Sequence, residues 1–124
     1  MKKTILLVED DEFLRDIYAL KFKKRGFNTR VAEDGIQALE EIEKEIPQVL
    51  LLDIILPHID GWEVLRRIKE NPKFEKIKIV MLSALGQKQE VDRAISLGAS
   101  KFLIKSRYEP RQVVEIVEEM LKSK

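Results

Sequence analysis

The segment Val49-Leu50-Leu51-Leu52-Asp53 runs four apolar residues into a carboxylate, and Ile54-Ile55-Leu56 follows at once. A run apolar on both faces indicates a strand in a buried parallel sheet. Burial penalises the charged form of a carboxylate. Asp53 therefore needs something to offset that cost, either a cation or a chemical role. Three other runs end in the same way. Ile5-Leu6-Leu7-Val8 leads into Glu9-Asp10-Asp11, Ile79-Val80-Met81-Leu82 into Ser83, and Phe102-Leu103-Ile104 into Lys105. The finishing groups are carboxylates, a hydroxyl and an ammonium. That set suits a divalent metal and a phosphoryl group.

Working outward, strand-like runs alternate with segments of helical period. The strands read as Thr4 to Val8, Asn28 to Val31, Val49 to Leu52, Ile77 to Leu82 and Phe102 to Ile104. The helices read as about Glu12 to Arg25, Gly35 to Glu45, Gly61 to Asn71, Gln87 to Leu97 and Pro110 to Lys122. Gly26 and Gly98 can take the left-handed conformation that closes a helix. Asp34 and Asp60 precede Gly35 and Gly61 as N-caps, and Pro110 can open the last helix at its first position. Pro47 and Pro72 stand just past the second and third helices. Five β-then-α units imply a doubly wound α/β sandwich. In such folds ligands sit beyond the carboxyl ends of the strands, at the topological switch point. The polar strand ends therefore converge on one edge of the sheet.

Composition bounds the rest. The chain has 124 residues, which suits one domain. Lys+Arg 23 against Asp+Glu 22 leaves a net charge of +1. That balance argues against a nucleic-acid-binding surface. The absence of cysteine excludes disulfides and thiolate metal sites. Lys2-Lys3 could open a signal peptide, but the apolar stretch stops at Glu9. No run approaches a membrane span. The expectation is a cytoplasmic domain.

LLVEDDE near the start, LLLDIILPHIDGWEVLRRIK in the middle, IVMLSA and GASKFLIK resemble the receiver domain of two-component response regulators, of the stand-alone, chemotaxis-regulator type. The resemblance covers the whole chain, with the motifs in order. It implies a single receiver domain over residues 1–124 with no output domain. The implied fold is flavodoxin-like: a five-stranded parallel sheet of order 2-1-3-4-5 with five helices in a three-layer sandwich. It also implies that Asp53 accepts a phosphoryl group from a phosphohistidine in a Mg²⁺-dependent reaction, with Mn²⁺ as the alternative ion. By position, Asp10 and Asp53 ligate the metal directly, the main-chain carbonyl of Ile55 supplies a further oxygen, and Glu9 acts through a bound water. Ser83 and the amide of Ala84 bind phosphoryl oxygens, and Lys105 pairs with another. Ser83 and Phe102 hold the switch positions, and Ile55 and Leu85 those that tune phosphoryl lifetime. The implied partners are a sensor histidine kinase or histidine phosphotransfer domain and an unknown downstream protein. The implied state is a monomer or weak dimer, without nucleic acid or membrane. Such a domain is not an enzyme beyond catalysing its own phosphorylation and dephosphorylation.

Each residue has a plainer reading. Glu9 to Glu12 could be an acidic first turn favoured by the helix dipole, and Asp11 and Glu12 read that way. Ser83 and Lys105 alone could be a turn residue and a solvated strand end, and Phe102 alone core. His58 reads as surface. The first helix leaves a real choice. Phe13, Ile17 and Leu20 share one side and Leu14, Tyr18 and Phe22 the adjoining one, an apolar arc wider than one core stripe. Either the helix is deeply buried, or Phe13 and Leu20 form a docking patch for a kinase's histidine domain.

Three departures from the family pattern stand out. Ser106 replaces the proline that usually follows the lysine. A cis bond before a non-proline residue costs roughly 2.5–4 kcal/mol, so Lys105–Ser106 is expected to be trans and the loop after it displaced. Ile55 and Leu85 are apolar and cannot orient an attacking water, which implies a long-lived phosphorylated state. Phe102 lacks a hydroxyl, so switching must use ring position. Other functions are a relay carrier that passes the group to a second histidine domain, a phosphorylation-independent pseudo-receiver, and a haloacid-dehalogenase-like phosphatase. The last needs a second acid where this chain has Ile55.

Overall fold

Successive side chains of a strand point to opposite faces, and here both faces are apolar. In β1 (Thr4–Val8) Ile5 and Leu7 point one way and Leu6 and Val8 the other. In β3 (Val49–Asp53) and β4 (Lys78–Ser83), Val49, Leu51, Val80 and Leu82 join Ile5 and Leu7. Leu50, Leu52, Ile79 and Met81 join Leu6 and Val8. β2 (Asn28–Ala32) and β5 (Lys101–Ile104) close the edges. All pairings are parallel, in the order β2-β1-β3-β4-β5. This is the expected order. The structure, a computed structural model, describes residues 2–84 and 86–122, so the expected role of Leu85 lies outside the described residues.

Two helix layers cover the sheet. α1 (Glu12–Lys24) and α5 (Pro110–Lys122) bury Tyr18, Phe22, Val113, Val114 and Val117 against the first face. α2 (Gly35–Lys44), α3 (Gly61–Lys69) and α4 (Lys88–Ser96) bury Ala38, Ile42, Val64, Leu65, Ile68 and Ala94 against the second. Phe22 is fully buried and meets Phe27 edge-on at 5.2 Å between ring centroids. Such a pair adds about 0.5–1.5 kcal/mol beyond the area it buries.

The punctuation residues behave as their chemistry requires. Asp34 and Asp60 accept hydrogen bonds from the amides of Gln37 and Glu63, at 2.8 and 3.0 Å. Gly26 and Gly98 have φ of 89° and 106°. Boundaries shift by one or two residues. Asp53 and Ser83 belong to their strands because Asp53 pairs in register with Leu82 and Ser83 with Ile104. Gln87 is the N-cap of α4, locked with Glu90 in a capping box, rather than its first residue. α3 stops at Lys69, and the chain makes a separate 3₁₀ turn over Pro72–Phe74. Pro72 can open that turn but cannot continue a helix.

Gly61 fixes where α3 starts. Its amide donates to the Ile54 carbonyl at 2.7 Å, and a Cβ there would lie 2.3 Å from the Asp53 carbonyl oxygen. Only glycine lets the helix begin this close to the end of β3.

Candidate functional site

Register builds the site. Val8 pairs with Leu52, so Glu9 is level with Asp53 at the sheet edge. Ser83 pairs with Ile104, so Lys105 follows level with the end of β4. The two-residue period then sets direction. Glu9 follows Leu7 by two, Asp53 follows Leu51 by two, and Lys105 follows Leu103 by two. All three apolar residues face α1 and α5, so the polar groups project from that side.

The side chains meet. Lys105 Nζ donates to Glu9 Oε1 at 2.7 Å and to Asp53 Oδ2 at 2.8 Å. The other Asp53 oxygen, Oδ1, accepts from the Ile54 amide at 2.7 Å. Asp10 is exposed above the pair, whereas Glu9 and Asp53 are buried. Glu9, Asp10 and Asp53 each bring a carboxylate oxygen to within 4.8 Å of the others. Ser83 is buried at the end of β4, and Ala84 after it is exposed. Phe102 is partly buried against the core of the second face. Ile55 is 69% exposed in the loop that leaves β3.

Charge explains how the cluster is held. Burial pushes the Glu9 carboxyl above its usual range, and the neighbouring Asp53 charge pushes it further, against the hydrogen bond from Lys105. Burial works against the Lys105 ammonium, but its hydrogen bonds to Asp53 and Glu9 outweigh that and raise its pKa. Fully ionised, three carboxylates and one ammonium leave a net charge of −2 on the cluster. The remaining donors are hard oxygens, which fits a Mg²⁺-sized cation held by carboxylates and water.

Some supporting contacts were not legible in the sequence. Arg15, on the first turns of α1, donates to the Glu9 main-chain carbonyl at 3.1 Å. The Asp11 amide donates to Glu9 Oε2 at 3.2 Å. Asp11 also caps α1 by accepting from the Leu14 amide, at 3.1 Å. Tyr18 is buried close enough to feel the charges of Lys105, Glu9 and Asp53, and burial raises its pKa. An arginine and a tyrosine on an amphipathic helix carry no signal of such roles until the helix is docked.

Other expectations resolve plainly. The Lys105–Ser106 peptide is trans, and Lys105–Arg107 forms a 3₁₀ turn. His58 is exposed, with a left-handed φ of 71° and its Nε2 3.8 Å from Asp34 Oδ2. The deeply buried reading of α1 is corrected. Tyr18, Ala19 and Phe22 are its buried residues, while Phe13 is 73% and Leu20 54% exposed. One stripe covers the sheet, Leu14 packs partly against the same core, and Phe13 and Leu20 face outward. No described helix is long and apolar enough to cross a membrane.

Comparison with known proteins agrees with this geometry. A family model described as "Response regulator receiver domain" matches residues 5–118. The chain is 35% identical over 99 residues to sporulation initiation phosphotransferase F of Bacillus subtilis, covering 80% of this chain and 78% of that protein. It is 30% identical over 115 residues to a 14.6 kDa protein of Leptolyngbya boryana, covering 93% of this chain and 87% of that one. A solved CheY-like receiver domain protein from Methanospirillum hungatei superposes with a TM-score of 0.87 at 27% identity, covering 98% and 95% of the two chains. Other curated relatives are longer. The chain spans 51% of the phosphate regulon regulatory protein PhoB of Rhizobium meliloti and 42% of RpaA of Synechocystis.

Proposed function

The chain belongs to the response regulator receiver domain family, and from that premise we propose that Asp53 takes a phosphoryl group from a phosphohistidine on a partner protein. The observation that carries this reading is the convergence of Glu9, Asp53 and Lys105 within hydrogen-bonding distance at one sheet edge. An Asp53 carboxylate oxygen attacks phosphorus as the phosphorus–nitrogen bond breaks, and its electron pair leaves with the imidazole. Such transfer needs positioning and charge neutralisation more than proton chemistry. Lys105 has three N–H donors. Two serve Glu9 and Asp53, and the third is open to a phosphoryl oxygen. The Ser83 hydroxyl and the Ala84 amide serve the others.

Receiver domains bind Mg²⁺ at an acidic pocket, and the Glu9, Asp10 and Asp53 cluster supports that here. Asp10, Asp53 and the Ile55 carbonyl would hold the ion, with Glu9 acting through water. Its contribution is charge neutralisation at the phosphoryl oxygens. Phosphorylation then changes the affinity of the domain for a downstream protein, with Ser83 and the Phe102 ring as the moving parts. The setting for this chemistry is the cytoplasm.

Receiver domains interact with histidine kinases or phosphotransfer proteins. The direct test is therefore transfer from a radiolabelled phosphohistidine domain. Label should reach the chain in Mg²⁺ buffer and should fail to reach Asp53→Asn. Equal labelling of that variant would exclude Asp53 as the acceptor. A relay role is the second reading, favoured by the 35% identity to a protein named as a phosphotransferase. Onward passage of label to a second histidine domain separates it from a terminal switch.

A further inference from the structure

A second feature lies on the opposite side of the sheet from Lys105, in the groove between α3 and α4. The groove is open to solvent, has a volume of about 760 Å³, and is lined by Ile59, Trp62, Arg66, Arg67, Arg93 and Leu97 together with His58, Asp60, Glu63 and Ser96. The Arg93 guanidinium lies over the Trp62 ring, 4.1 Å from its centroid. Its neighbours are paired with carboxylates: Arg66 with Glu63 and Glu70, and Arg67 with Glu63. Among the described residues, the Arg93 side chain has no ion pair and no hydrogen bond beyond that stacking contact.

Stacking fixes the plane of a guanidinium and leaves its N–H fork pointing outward. Little freedom remains to be lost when a carboxylate then binds it side by side. Two acids line the groove, and both are engaged. Glu63 is held down at about 2 by its hydrogen bonds to Arg66 and Arg67. Asp60 caps α3 through the Glu63 amide. Arg66 and Arg67 are matched by Glu63 and Glu70, which leaves Arg93 as the groove arginine without a carboxylate partner among the described residues. Leu97 is 39% exposed and Ile59 partly exposed, so apolar surface lies beside the open arginine. The volume far exceeds what a single small anion fills.

We propose that the α3–α4 groove binds an acidic peptide segment of a partner protein, with one carboxylate on Arg93 and a neighbouring apolar side chain against Leu97 and Ile59. The inference stands on the groove alone and does not require phosphoryl transfer. Isothermal titration of the full chain with an acetylated Glu-Glu-Leu-Phe-Glu amide tests it. Saturable binding is expected, lost when the same peptide carries Gln in place of Glu. Arg93→Ala should weaken binding about tenfold, and Arg93→Lys should fall between, because it keeps the charge but not the fork. Far-UV circular dichroism establishes that both variants are folded. The glutamine peptide needs no variant at all. Absence of saturable binding would overturn the proposal, as would equal affinity for the glutamine peptide or for Arg93→Ala. Competition by glutarate or inorganic phosphate at the peptide's own affinity would overturn it too, since that marks a small-anion site.

Discussion

At the scale of single residues, Lys105 divides one ammonium between two buried carboxylates, and Glu9 is the more deeply buried of the two. Its folded pKa is raised by burial and by Asp53. A group raised on folding contributes its stability below its unfolded pKa and loses it as pH climbs through the folded value. Ionising Glu9 is therefore less favourable in the folded chain than in the unfolded one, so its contribution to stability falls as the pH rises. In metal-free buffer, Glu9→Gln should raise the thermal midpoint by roughly 3 °C at about pH 7, and the gap should shrink as the pH is lowered toward about 4 and ionisation of Glu9 is lost. Calorimetry at both values decides it, and a gap of equal size at each would contradict the assignment. The mouth of the site is apolar where Ile55 stands exposed. With no side chain there to orient water, the acyl phosphate should persist. Ile55→Asn combined with Leu85→Glu should shorten its lifetime by on the order of tenfold or more, measured as loss of label over time. Unchanged decay would remove Ile55 and Leu85 from this role. Asp53 was legible from sequence because a carboxylate at the end of four apolar residues needs an explanation. Lys105 was legible through the same strand-end logic. The direct Glu9–Lys105 bond was not, because register between β1 and β5 runs through two intervening strands.

At the scale of elements, α1 carries the instructive ambiguity. Its wide apolar arc was visible in the sequence, but which part faced inward depended on docking against β1, β2 and α5. The docked helix buries Tyr18 and Phe22 and leaves Phe13 and Leu20 outside. Phe13 lies one turn from the acidic cluster at the start of α1, where an incoming histidine domain would have to approach. Replacing both Phe13 and Leu20 with Ser should slow transfer from a phosphohistidine domain about tenfold while moving stability by no more than ~0.5 kcal/mol, as exposed positions do. Labelling rate and urea unfolding read the two effects separately. Transfer at the wild-type rate would show that the patch serves something else. The caps were legible for a different reason. Asp34, Asp60, Gly26, Gly98 and Pro110 act through local chemistry that needs no tertiary partner. The two 3₁₀ turns were not legible, because each depends on what the preceding element packs against.

At the scale of the whole molecule, the polar groups that end four strands mean little apart and become a site only through topology. The order β2-β1-β3-β4-β5 sets β1 and β3 side by side, with β4 and β5 beyond. The two-residue period then turns Glu9, Asp53 and Lys105 toward one another. The buried parallel sheet and its polar edge followed from the apolar runs and the βα alternation, whereas the strand order was what the family resemblance implied. The α3–α4 groove lies outside that logic: Trp62 and Arg93 sit on helices whose packing angle no sequence period specifies. The central claim is that a carboxylate at the rim of an apolar sheet becomes an acyl phosphate. Intact-mass and peptide mass spectrometry after treatment with acetyl phosphate and Mg²⁺ test it most directly. The account predicts one added phosphoryl group, on Asp53, absent when the metal is chelated and absent in Asp53→Asn. An unmodified chain, or a group found on any other residue, would contradict it.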